Sequence, residues 1–126
     1  MKKEYPSIIP CFSVADTKKA VIFYHDAFGF KQANPGEDYI EMRFKDIVIM
    51  FGQEGSYDQK EQTPKHSGKP CPMVLYIYCD DVDAFYEHAL KHGAKSVEKP
   101  QDTPWGDRMC SLQDLDGYTW SFAANK

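Results

Sequence analysis

The chain has 126 residues, with 42% hydrophobic and 27% charged side chains, which is the make-up of an ordinary globular protein and excludes disordered, collagen-like and membrane-embedded classes. Fifteen Lys and Arg against nineteen Asp and Glu leave a formal charge of −4, the wrong sign for general binding to nucleic-acid phosphates or anionic lipid. A chain of this size buries roughly two-thirds of its unfolded surface, so a core forms without disulfides or a structural metal.

The amino end, Met-Lys-Lys-Glu-Tyr-Pro, carries two positive charges, but the apolar stretch behind it is short and broken by Pro10, so no signal peptide is expected. No run approaches the roughly 18 apolar residues of a membrane span. A cytoplasmic protein is the expectation.

The first strand-like run carries Ile8, Phe12 and Val14 on one face and Ile9, Cys11 and Ser13 on the other. Asp16 then caps a helix whose apolar face is Ala20, Phe23, Tyr24, Ala27 and Phe28, and Gly29 stops it. A short strand is expected near 30–33. Residues 38–51 read as a hairpin turning at Lys45-Asp46, with Ile47, Ile49 and Phe51 opposing Val48, Met50 and Gly52.

Residues 52–72 are rich in Gly, Gln, Lys, Glu and Pro and read as a linker. The pattern then restarts. In the strand at 74–79, Leu75, Ile77 and Cys79 oppose Val74, Tyr76 and Tyr78. Asp80 or Asp81 caps a helix with Val82, Phe85, Tyr86, Ala89 and Leu90 on one face, stopped at Gly93. A shorter strand follows near 95–98. Residues 107–123 form a hairpin around Asp114-Leu115-Asp116-Gly117, with Tyr118, Trp120 and Phe122 opposing Thr119, Ser121 and Ala123.

Sliding the chain by 64 positions sets Phe12, Val14, Asp16, Ala20 and Gly29 on Tyr76, Tyr78, Asp80, Ala84 and Gly93. The expected fold is therefore α+β: two βαβββ repeats forming a curved mixed sheet with helices packed on its convex face. Repeat one spans about 5–52, the linker 53–72 and repeat two 73–124. Each repeat is small for independent stability, so the two are expected to make one domain, by pairing within the chain or with a second copy.

The first face of each strand is large and apolar and belongs to the core. The second is mixed, small or aromatic, which suits the lining of a small-molecule cavity. Glu41, inside a strand, is the candidate acid or base on that face. The four cysteines, Cys11, Cys71, Cys79 and Cys110, lack CxxC spacing and read as small buried hydrophobes in a reducing compartment. His88 and His92 stand one turn apart without an HExxH pattern, and they and His25 read as solvated helix surface.

The segments 12–16, 20–30, 80–86 with Gly93-Ala94, and 114–120 together resemble the vicinal oxygen chelate superfamily of glyoxalase I, extradiol dioxygenases, and fosfomycin and bleomycin resistance proteins. Metal-dependent members carry His and Glu ligands at positions that here are Ile9, Met50, Val74 and Ser121, none of which holds a divalent ion as His or Glu does. The resemblance thus points to the metal-free, bleomycin-resistance or PhnB-like branch, which implies a homodimer sequestering a planar or peptidic compound, with no metal and no cofactor. The segment 104–108 resembles the loop bordering that groove, with Trp105 to stack on a flat ligand and Arg108 to pair with a ligand anion or an internal carboxylate. The expected ligand contacts are Ile9, Cys11, Ser13, Met50, Val74, Tyr76, Tyr78, Trp105, Arg108 and Ser121. The alternative is a metal-dependent lyase or dioxygenase with a shifted ligand set drawn from Glu41 or His66.

Overall fold

In the computed structural model, which describes residues 4–56 and 61–126, the chain divides into two compact units, Met1–Thr63 and Pro64–Lys126. Each is built on a four-stranded mixed sheet. In the first unit β1 (Cys11–Val14), α1 (Thr17–Phe28), β2 (Lys31–Gln32), β3 (Tyr39–Phe44) and β4 (Ile47–Gln53) follow in sequence, and the sheet order is β1-β4-β3-β2. The second unit adds a single-turn helix, α2 (Pro64–Ser67), before β5 (Leu75–Tyr78), α3 (Val82–Lys91), β6 (Lys95–Asp102), β7 (Asp107–Gln113) and β8 (Thr119–Asn125), ordered β5-β8-β7-β6. The first strand of each unit runs parallel to the last, and the other pairings are antiparallel. This is the expected duplicated βαβββ architecture. It is realised as two four-stranded sheets rather than one continuous ladder.

Both long helices begin and end as their sequences require. Asp16 and Asp81 sit in extended conformation and accept from the backbone N–H groups of Lys19 and Ala84, each satisfying one of the helix's orphan donors. Gly29 closes α1 in the left-handed region at φ 81°. The apolar stripe Ala20, Phe23, Tyr24, Ala27 and Phe28 is buried, and the Tyr24 ring meets Phe51 of β4 at 5.4 Å and Phe12 of β1 at 6.1 Å. In the second unit Phe85 lies 4.1 Å from Phe122, while Trp120, Phe122 and Leu112 are fully enclosed. One face of each sheet is thus sealed by its helix. The opposite faces carry the exposed side chains Cys11 and Tyr39 in the first unit and Tyr76 and Tyr78 in the second.

Four expectations need correction. The repeat offset in the first strand and cap is 65 rather than 64, since Asp16 and Asp81 are the equivalent caps; core-facing Phe12 then falls on Ile77, and open-face Cys11 on Tyr76. Gly29 and Gly93 remain 64 apart because the second unit is one residue shorter between cap and glycine. Ile8 precedes β1 and is 81% exposed, so strand alternation does not extend to it. Among the cysteines, Cys79 and Cys110 are buried, with burial pushing the Cys110 thiol up to about 12, but Cys11 is exposed and Cys71 half-buried. The strand expected at 95–98 runs on to Asp102, and its counterpart shrinks to Lys31–Gln32.

Candidate ligand-binding face

On the open face of the second unit, β5 presents Tyr76 and Tyr78, because alternation puts Leu75 and Ile77 toward α3. Both phenols converge on one atom: each donates a 2.8 Å hydrogen bond to Asp107 Oδ2. The Trp105 indole N–H in turn donates to the Tyr76 hydroxyl at 2.9 Å. Asp107 is 3% exposed, whereas Tyr76, Tyr78 and Trp105 are 39%, 50% and 63% exposed. A buried carboxylate therefore fixes three rings that water would otherwise leave free to rotate. The tyrosine rings stand 5.7 Å apart in an edge-to-face pose, so one ring's edge covers part of the other's face, and all three rings stay partly exposed.

The loop that carries Trp105 is locally determined. Thr103 N–H and Oγ1 both donate to the Asp107 carbonyl, Asp107 N–H donates back to Thr103 Oγ1, and Gly106 turns the chain at φ 93°. The phenols respond to the carboxylate. Tyr78 is held above the usual phenol range, first by its bond to Asp107, and Tyr76 is raised first by desolvation.

Arg108, next in β7, points the opposite way. Its guanidinium pairs with both Asp83 oxygens, from Nε at 3.0 Å and Nη2 at 2.9 Å, and with Asp102 at 3.2 Å; it holds the Asp83 carboxyl below its ordinary range, while Asp102 is lowered first by Lys126 and then by Arg108. Of its two expected roles the structure assigns it the internal carboxylate. Ser121 is the register partner of Tyr76, but it is buried and bonded to Ser111 Oγ at 2.8 Å. Val74 precedes β5 and is 48% exposed.

In the first unit, Cys11 and Met50 are register partners across β1 and β4, joined through Tyr39, whose hydroxyl lies 3.7 Å from the Cys11 sulfur and donates to Met50 Sδ at 3.4 Å. Ser13 is buried opposite Gly52, and Ile9 is half-buried ahead of the strand. Glu41 shares this face, opposite Met50, but is 4% exposed and accepts from the Tyr5 hydroxyl and Arg43 Nε, both at 3.0 Å, with the Arg43 guanidinium over the Tyr5 ring. Its charge is already answered by protein groups.

Asp107 is the residue that sequence reading passes over. It heads the last hairpin and looks like a turn flank; only the 29- and 31-residue separations to the tyrosines, closed by the sheet, reveal it.

Ile9, Met50, Val74 and Ser121, the positions where the resemblance implies ligands, carry two hydrocarbons, a thioether and a hydroxyl, which do not fit a divalent ion as His or Glu does. Among the described residues no group of three or more His, Cys, Asp and Glu side chains assembles elsewhere. The rings of exposed His88 on α3 and His92 at its carboxyl end lie 4.5 Å apart, tilted by 42°, and His66 is exposed on α2.

Comparison with known proteins gives a consistent picture. Residues 10–122 match the family model described as the Glyoxalase/Bleomycin resistance protein/Dioxygenase superfamily. An uncharacterised protein of Mycobacterium bovis is 30% identical over 124 residues, covering 92% of this chain and 81% of the relative. A counterpart in Mycobacterium tuberculosis is also 30% identical, over 72% of its length. Among solved structures, TioX from Micromonospora sp. ML1 superposes with a TM-score of 0.77 at 21% identity, covering 98% of this chain and all of that one. A glyoxalase-related enzyme from Fulvimarina pelagi gives 0.75 at 16%, covering 99% and 89%.

Proposed function

Because the chain belongs to the glyoxalase/bleomycin resistance protein/dioxygenase superfamily, we propose that it binds a small, partly aromatic compound on its open sheet faces, without a metal and without turnover. One observation carries this reading: Tyr76 and Tyr78 stand exposed yet bonded to buried Asp107, and exposed Trp105 is bonded in turn to the Tyr76 hydroxyl. Exposed aromatic rings normally lose rotamer freedom when a ligand stacks on them. Rings already fixed by a buried acceptor have met that cost in folding, which favours binding through preorganisation. A flat ligand gains ring stacking and loses little else.

Val74 and Ser121 extend the same face, and Ile9, Cys11, Ser13 and Met50 form the corresponding face of the first repeat. Arg108 is left out of the contact set because two carboxylates occupy it. The donor chemistry at Ile9, Met50, Val74 and Ser121 supports binding that needs no divalent ion. Sequestration by a cytoplasmic homodimer, in which the two repeats act as one domain, completes the proposal.

Titrating planar aromatic probes against tryptophan fluorescence, with and without chelator, tests it. Saturable quenching that chelator leaves unchanged and that Trp105→Phe removes is the expected result. Metal-dependent binding, or quenching retained in Trp105→Phe, contradicts it.

A further inference from the structure

A second concavity lies in the second unit, away from the tyrosines, where the segment 64–70 folds over the turn 114–117 and the residues after α3. It encloses about 420 Å³, within the range of small-molecule sites. Lys65, Lys69 and Lys95 stand around it, while Pro64, Pro70 and Leu115 supply apolar wall. Among the described residues none of these three ammonium groups has a carboxylate partner. The one acidic residue in the lining, Asp114, is spent inward: Oδ1 accepts from the Asp116 and Tyr118 N–H groups, both at 3.0 Å, and Oδ2 from the Trp120 indole at 3.1 Å. Three lysines without carboxylate partners thus line a partly apolar hollow in a chain whose overall charge is −4. At physiological salt such local charges, not the net charge, set the potential a ligand meets.

The walls are also preformed. Lys65 N–H donates to the Asp116 carbonyl at 2.9 Å, Gly68 N–H to the Pro64 carbonyl at 2.9 Å, and Lys69 N–H to Ser67 Oγ at 3.1 Å. Gly117 is needed for this closeness: at φ 92°, a Cβ there meets Lys65 N and Pro64 Cβ at 3.2 Å.

We propose that this pocket, lined by Lys65, Lys69, Lys95, Pro64, Pro70 and Leu115, binds a small organic anion with an apolar body, such as a carboxylate or phosphate ester. It is separate from the aromatic face, and neither reading depends on the other.

The test uses the full chain carrying Trp105→Phe, which removes the fluorescent reporter of the aromatic face and leaves Trp120, bonded to the pocket's Asp114, as the sole tryptophan. Phenyl phosphate is titrated by Trp120 fluorescence and by calorimetry, with phenol as the uncharged control. The proposal expects saturable binding of phenyl phosphate and far weaker binding of phenol. Replacing Lys65, Lys69 and Lys95 together by Gln weakens binding at least about tenfold. The triple change Lys91→Gln, Lys99→Gln, Lys126→Gln removes the same charge from residues of this unit that do not line the pocket and keeps affinity within about twofold, since screening weakens the field of each. All six lysines are exposed, so both variants fold, which an unchanged melting curve verifies. Equal weakening by the two triple variants, or no heat and no fluorescence change up to about 10 mM probe, overturns the proposal.

Discussion

Asp107 is the pivot of the aromatic face, and its chemistry makes a sharp prediction at alkaline pH. A phenol donating to a carboxylate must lose that bond to ionise, so its folded value lies above its unfolded one. The stabilisation is complete below about pH 10 and disappears as pH rises through the raised folded values. In Asp107→Ala, Tyr78 returns toward the ordinary phenol range more than Tyr76 does, because the carboxylate is the leading cause only for Tyr78. Ultraviolet titration of the tyrosines, compared with Tyr78→Phe, reads this directly. The converse change is harsher: Tyr76→Phe with Tyr78→Phe leaves a buried carboxylate without its two phenol donors and lowers stability in denaturant unfolding.

Arg108 behaves oppositely with pH. Asp83 and Asp102 are held below 3.8, so their pairing stabilises the fold above that pH and is lost as pH falls through the depressed folded values. Arg108→Gln therefore lowers the melting temperature at neutral pH, and the difference from the parent closes in the acid limb. It does not close through Asp102 alone, because Lys126 is the first cause of that residue's shift.

Among the elements, the turn 114–117 carries the most consequence per residue. Asp114 takes three hydrogen bonds, one from the core indole of Trp120, and Gly117 holds a left-handed conformation hard against α2. Gly117→Ala costs about 1–2 kcal/mol through backbone strain and crowding, read by denaturant unfolding. Removing either helix cap, Asp16→Ala or Asp81→Ala, costs about 1 kcal/mol. The outer strand β6 is exposed along nearly its whole length and breaks register twice, and its Lys95, Glu98, Lys99 and Pro100 discourage pairing with other chains.

The element scale also shows how far sequence alone reaches. Helix stripes such as Ala20-Phe23-Tyr24-Ala27-Phe28 and the caps that bound them are legible because their causes lie within one or two turns. The parity that sends Tyr76 and Tyr78 to the open face is equally local. The length of the first strand is not: Ile8 keeps the alternation after pairing with β4 has ended, so it is left exposed. Asp107 and the pairing of Arg108 with Asp83 were out of reach because their partners arrive through the sheet, from 25 or more residues away.

At the scale of the molecule, duplication has given two sheets with the same connectivity and different open faces. The first carries Cys11, Tyr39 and Met50 around a neutral sulfur-rich patch, with Glu41 answered by Arg43 and Tyr5. The second carries rings on a buried carboxylate. The asymmetry leaves the exposed rings Tyr76, Tyr78 and Trp105 on the second repeat. No helix among the described residues is long and apolar enough to cross a membrane.

The account is tested most directly by measuring the affinity of the chelator-treated chain for planar aromatic probes beside Trp105→Phe, Tyr76→Phe and Asp107→Ala. It predicts saturable binding in the metal-free parent that weakens in all three, with Asp107→Ala losing affinity although every ring is retained. Binding that returns only when a divalent ion is restored, or that is indifferent to Asp107, would contradict it.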